Sequence, residues 1–167
     1  MTLLTIGTSN RSEAEFFDPL IARRVVTLVD VRSKPWSRMP HFRGSALARS
    51  APLHGVRYLW EGEVLGGLND IRTDAPAFLA ALDRLLALQG DGRVAIFCAE
   101  GDGAACHRSA KVGAALLVHH GVDATNILRN GTEELVSRTL VRTKPENIQA
   151  CVRDEALRLA LKRASAS

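Results

Sequence analysis

The chain has 167 residues, 46% of them hydrophobic and 24% charged, with a formal net charge of +4. A chain of that size buries a core without disulfide or metal staples, and its apolar runs fall far short of a membrane span, so no membrane partner is expected. The opening MTLLTIGTSNRS lacks the basic flank and long apolar run of a secretory leader, so a cytoplasmic location is expected.

Charge is unevenly placed. No acidic residue lies between Asp30 and Glu61, a window that holds Arg32, Lys34, Arg38, Arg43, Arg49 and Arg57 and leaves the remaining chain at −2. A basic segment that also contains Trp36, His41, Phe42 and His54 suits an anionic partner, either a phosphate-bearing small molecule or nucleic acid.

In chain order, TLLTI at 2–6 reads as a strand that stops at Gly7-Thr8-Ser9-Asn10. Ser12 and Glu15 have capping-box spacing, so a helix begins there and buries Phe16, Leu20 and Ile21; Pro19 is expected to kink or restart it with Asp18 as a second cap. VVTLVDV at 25–31 has the nearly continuous β-branched character of a strand buried on both faces. A proline-containing basic loop, a short helix near 44–50, a strand at 56–60 and an irregular stretch at 61–74 follow. A helix capped by Thr73 or Asp74 should run to Leu88, with Phe78, Leu82, Leu85 and Leu86 inward. RVAIFC at 93–98 is a further buried strand, followed by a helix over roughly 105–119 and a last strand at 124–128. Thr143 and Glu146 repeat the capping-box spacing and predict a C-terminal helix to about Lys162, with Cys151 in its core.

Strands alternating with helices predict one α/β domain over 1–167, a mainly parallel, three-layer sheet of Rossmann-like or flavodoxin-like type. A core at about 2–130 would carry a helical extension at about 132–163. In such sheets ligands bind beyond the carboxyl ends of the strands. Here three strand ends carry polar or reactive residues: Gly7-Thr8-Ser9, Asp30-Val31-Arg32 and Cys98-Ala99-Glu100.

Those strand ends resemble the bacterial and archaeal family known as domain of unknown function 488. The matching elements are T-I-G-T-S-N at 5–10, D-V-R-S-K-P at 30–35, L-G-G at 65–67, C-A-E at 98–100 and C-H-R at 106–108. One departure is Asn126-Ile127, where the family often has a histidine before the isoleucine. The resemblance implies an α/β fold and locates a site; it implies no reaction.

The stretch VAIFCAEGDGAACHRS therefore sets the functional alternatives. In the first, a helix starting near Ala104–Cys106 turns its N–H groups toward an anion. Cys98 or Cys106 is then the nucleophile, Glu100 or His107 moves protons, and Arg32 and Arg108 grip the ligand. Gly7, Ser9, Asn10, Asp30 and Ser33 complete that ligand site, although Ser9 and Asn10 read equally well as helix caps. In the second, Cys98, Glu100, Cys106 and His107 hold a metal, against which stands the adjacency of Cys106 and His107 on a nascent helix. Redox pairing of Cys98 with Cys106 is a third, though three cysteines without C-x2-C spacing make a structural disulfide or zinc knuckle the poorer readings. The fourth is a nucleic-acid module in which Arg38 and Arg43 contact phosphates while Trp36 or Phe42 stacks on a base. No cofactor is indicated, and the oligomeric state is not encoded in these motifs.

Overall fold

A computed structural model of the chain describes residues 2–166. Its six strands are β1 (Leu4–Gly7), β2 (Val25–Asp30), β3 (Arg57–Trp60), β4 (Arg93–Cys98), β5 (Thr125–Ile127) and β6 (Glu133–Leu135). They form one sheet in the order β3-β2-β4-β1-β5-β6, parallel except for β6. The three-layer α/β architecture expected from the alternation of strands and helices is thus observed. No helix among the described residues is long and apolar enough to cross a membrane.

Period-two alternation sorts the central strands between two cores. Leu3, Val29, Val31, Val94, Ile96 and Cys98 face one core, which α4 (Pro76–Ala87), α5 (Ala114–His120), α6 (Val136–Arg142) and α7 (Arg153–Ala164) cover. Leu4, Ile6, Leu28, Ala95 and Phe97 face the other, packed by Phe16, Phe17 and Leu20 of α1 (Glu13–Ala22) and Leu47 of α2 (Gly44–Ser50). Burial on both faces explains why the β2 and β4 sequences are almost uninterrupted apolar runs.

The capping box at Ser12 and Glu15 forms as predicted. Pro19, however, neither restarts nor ends α1. The Glu15 carbonyl left without its usual partner by the proline accepts a hydrogen bond from Arg11 Nη1 at 3.2 Å. Phe17 takes the inward position expected of Ile21, which is exposed. Ala75, rather than Thr73 or Asp74, caps α4: Asp74 is paired with Arg72, and Thr73 is buried against Gln149 and Cys151. Cys151 is half-buried: it packs against the edge of the first core while its sulfur contacts Thr73.

The largest departures follow Cys98. A short 3₁₀ turn at Gly103–Ala105 precedes a π-helical segment, Arg108–Gly113, which leads into α5. Such wide turns hold an extra residue per turn. The 124–128 strand is not the last, because the Asn130-Gly131 turn folds β6 back against β5, with Gly131 at φ 83°. The C-terminal helix predicted from Thr143 starts ten residues late: Pro145–Asn147 form only a 3₁₀ turn, and a separate helix, α6, precedes the predicted span. The Thr143 hydroxyl bonds the Thr139 carbonyl at 2.9 Å and closes α6, and α7 starts only at Arg153.

Candidate functional site

The carboxyl ends of β2, β4 and β1 lie side by side, with Gly7 opposite Cys98 and Asp30 opposite Phe97. Above them opens a cleft of about 550 Å³, within the range of small-molecule sites. Cys98, Ala105, Cys106 and His107 line its floor side; Arg32, Ser33, Lys34 and Trp36 come from the loop after β2; Gly67 and Leu68 come from the loop after α3 (Gly62–Leu65). Ala99 and Glu100 complete the rim.

Cys98 ends β4, and Cys106 sits in extended backbone just before the π-helical segment, its carbonyl accepting from Ser109 and Ala110. Their sulfurs lie at bonding distance, paired as a disulfide, the arrangement the sequence ranked below other roles; they are two thiols only once reduced. Both residues are nearly buried, 2% and 4% exposed, yet border the cleft. His107 Nε2 donates to the Val31 carbonyl at 2.7 Å, which leaves Nδ1 as an acceptor 3.8 Å from Cys106 Sγ. Burial holds the imidazole pKa below its usual value, so the ring is neutral at neutral pH. The helix was expected to begin at 104–106; helical backbone begins at His107 instead, while Cys106 is still extended, so the two side chains do not follow the spacing of adjacent helical residues.

The two arginines are built into the protein rather than presented to a ligand. Arg32 meets Asp30 through Nε at 2.8 Å and through Nη2, and donates to the Phe42 and Trp36 carbonyls at 2.8 and 3.3 Å. Its guanidinium also stacks 4.9 Å from the centre of the Phe97 ring. Arg108 is 1% exposed and bonds Thr5 Oγ1 at 2.9 Å, Cys98 Sγ at 3.2 Å, the Gly101 carbonyl at 3.0 Å and the Glu100 carbonyl. Burial lowers its pKa to about 10, still fully charged at neutral pH. Four of the five donors of each guanidinium are therefore used internally, against the expectation that they grip an anion.

Other expected site residues also have partners within the protein, and of them Ser33 and Glu100 line the cleft. Gly7 lets the Glu100 carbonyl lie over β1, where an added Cβ would come within 2.0 Å of that oxygen. Ser9, at φ 47°, and Asn10, paired with Arg129, neither line the cleft nor cap α1, which Ser12 caps. Asp30 is fully buried beneath Arg32 and Tyr58, and Ser33 Oγ accepts from Leu68 N at 2.9 Å. The exposed Glu100 carboxylate accepts from Gly101 N at 3.1 Å. Of the nucleic-acid candidates, Phe42 is fully buried edge-on to Phe16 and cannot stack on a base, and Arg43 donates to the Ser37 carbonyl. Trp36 is 60% exposed at the cleft, and Arg38 is exposed.

Sequence reasoning overlooked Leu68, 86% exposed on the wall, and Lys111, whose Nζ bonds the Gly66 carbonyl at 2.9 Å and Asn69 at 2.7 Å to fix that wall. The L-G-G-L stretch was the available signal for the first; nothing local marks the second. Asn126 is a buried hub bonded to Thr5, Ser109 and Thr139 below Arg108.

Residues 12–77 match the family described as Domain of unknown function DUF488. The resemblance holds over that stretch. The DUF488 match takes in D-V-R-S-K-P and L-G-G, the two cleft-forming loops, and stops before the C-A-E and C-H-R elements. No curated protein matches the chain.

The loop carrying Glu100 is tethered from outside. Arg142 pairs with Asp102 and Glu134, both at 2.8 Å. Burial alone would raise both carboxyl pKa values; hydrogen bonds, from Ala104 N and Arg142 to Asp102 and from Arg142 and Thr139 to Glu134, outweigh it and hold both below the usual range. Lowered carboxyl pKa values give stability that is present above about pH 4, the unfolded value, and is lost as pH falls through the folded values. Arg142→Ala is expected to cost about 1 kcal/mol at pH 7, given the exposure of the cluster. It should also flatten the loss of stability below about pH 4, measured by urea titration across pH.

Proposed function

We propose that this cleft is the active site of an enzyme acting on a small molecule with a flat ring and an anionic group, a nucleoside monophosphate being the simplest such ligand. The observation that carries the reading is the convergence of Cys98, Cys106 and His107 at the floor of a cleft whose mouth is framed by exposed Trp36 and Leu68. A ring inserted between Trp36 and Leu68 would bury apolar surface on both sides. Lys34, exposed on the same rim, offers the charge that Arg32 and Arg108 have committed elsewhere. In the reduced protein Arg108 Nη1 donates to Cys98 Sγ, the kind of contact that positions a cysteine nucleophile. Neutral His107, with Nδ1 turned toward Cys106, is placed to take a proton from that thiol.

The test is titration with adenosine monophosphate, followed by Trp36 fluorescence in metal-free, reduced protein, with Trp36→Phe marking the background from Trp60. Saturable quenching is expected, with binding weakened roughly tenfold or more in Trp36→Ala and orthophosphate alone a poor competitor. Absence of saturable quenching, or unchanged affinity in Trp36→Ala measured by calorimetry, overturns the reading. A second reading, single-stranded nucleic acid entering by its terminal nucleotide, is favoured by exposed Lys34, Arg38, Arg43 and Arg49 in a stretch without acids. It requires oligonucleotide affinity that falls steeply with salt and drops in Arg38→Ala.

A further inference from the structure

We infer that Cys98, Cys106 and His107 together hold a soft divalent metal ion, zinc or ferrous iron, whose remaining coordination position opens into the cleft. The inference rests on the reading of this cleft as the active site and names what equips its floor.

The ligand atoms of these three residues lie within 4.8 Å of one another. A tetrahedral zinc ion with Zn–S of about 2.3 Å and Zn–N of about 2.0 Å separates its nitrogen and sulfur ligands by roughly 3.6 Å. Cys106 Sγ and His107 Nδ1 are already 3.8 Å apart. The backbone points the same way. Cys98 and Cys106 have Cα atoms 7.7 Å apart, beyond the span of about 7 Å above which a disulfide requires the backbone to move. Two sulfurs on one tetrahedral ion sit roughly 3.8 Å apart, farther than the paired sulfurs here, and the wide Cα spacing lets the reduced side chains open to that distance.

The surroundings suit a ligand set. A metal-bound histidine commonly gives its other N–H to a carbonyl or carboxylate, which fixes the tautomer and aims the free nitrogen. His107 does so through Val31, and Gly67 packs against its ring so closely that a Cβ there would come within 2.8 Å of Cγ. Arg108 donates to Cys98 Sγ at 3.2 Å, as expected beside a metal thiolate. Glu100, part of the four-residue set expected from sequence, lies outside the cluster, so three protein ligands and one open position result. That is the ligand number of catalytic rather than structural zinc sites. The ion binds the reduced pair: a dithiol reductant first opens the Cys98–Cys106 bond, and loading then releases to solvent the protons the two thiols hold and leaves the neutral imidazole unchanged. An ion here also offers a Lewis-acid position that an anionic oxygen can coordinate, although its two thiolates cancel its formal charge.

The test is titration of reduced, chelator-stripped protein with Co²⁺ under anaerobic conditions. We expect saturation at one equivalent, an intense near-ultraviolet thiolate-to-cobalt band, strong visible bands of tetrahedral cobalt, and their loss on adding Zn²⁺. Cys98→Ser and Cys106→Ser should each diminish the thiolate band and weaken binding by more than about 100-fold, the upper end for loss of a mere outer-sphere partner. His107→Gln should shift the visible bands, and Cys151→Ser should leave the spectrum intact. Absence of the thiolate band in the wild type overturns the inference, as does its persistence in both cysteine variants or its loss in Cys151→Ser. If either cysteine variant fails to fold, the wild-type and Cys151→Ser spectra still decide. Quenching of Trp36 by adenosine monophosphate in metal-free protein, without a cobalt band, would leave the cleft reading standing and remove the metal. A cobalt band without quenching would do the reverse.

Discussion

Arg108→Met is expected to destabilise the protein by about 3–5 kcal/mol, seen as a lower urea midpoint at unchanged slope. The side chain is almost fully buried and hydrogen-bonds the Thr5 hydroxyl, the Cys98 sulfur and the Glu100 and Gly101 carbonyls. Methionine fills much of the volume but donates nothing. Each buried acceptor left unpaired costs about 1–3 kcal/mol, and the losses are not additive, because the loop can partly relax toward water. Arg108→Lys should recover only part of the loss, since a single ammonium cannot span acceptors on β1, β4 and the following loop.

Asp30→Asn ranks beside it, again at about 3–5 kcal/mol, because it leaves the buried Arg32 charge without its counter-ion. The Asp30 carboxylate accepts from Arg32 N at 3.1 Å, Arg32 Nε at 2.8 Å, Arg32 Nη2 and Tyr58 Oη at 2.8 Å. Burial, and then the neighbouring carboxylate, push the Tyr58 pKa well above its ordinary value, so the phenol stays a donor throughout the working range. Tyr58→Phe removes one of these bonds without unpairing a charge and should cost only about 1–2 kcal/mol. The double variant should fall short of the sum, since both changes act on the same carboxylate; strict additivity in urea unfolding would refute the coupling. Because the Arg32 carbonyl also accepts from Trp60 Nε1 at 2.8 Å, Asp30→Asn should loosen the loop that carries Lys34 and Trp36.

What the sequence reveals follows from the range of each interaction. Val25–Asp30 and Arg93–Cys98 were legible because burial on both faces writes itself into consecutive residues. Glu133–Leu135 was not, because Glu-Glu-Leu has no strand signature and pairs only because β5 offers an edge and Val136 N reaches the Ala124 carbonyl. Thr143 and Glu146 misled for a related reason: a threonine that can cap the next helix can equally close the preceding one, and tertiary packing of α6 decides. At the site, Cys98, Cys106 and His107 were legible as candidates from their place after a strand. The pairing of Arg32 with Asp30, two residues away, was within reach of the sequence; the engagement of Arg108 was not, because its acceptors are main-chain carbonyls and side chains distant in sequence, such as Thr5.

The wide turn at Arg108–Gly113 has a consequence for how the two ends of its helix are set. Beyond it, Leu116 and Leu117 must stay locked in the apolar layer; before it, His107 must face outward to the cleft. Each residue of a regular helix advances the azimuth by about 100°. Dropping one residue between Arg108 and Gly113 would leave the leucines in register and swing the imidazole roughly a quarter-turn off its line. The swollen coil thus serves as a phase shifter, letting hydrophobic packing and cleft geometry be satisfied by one continuous rod.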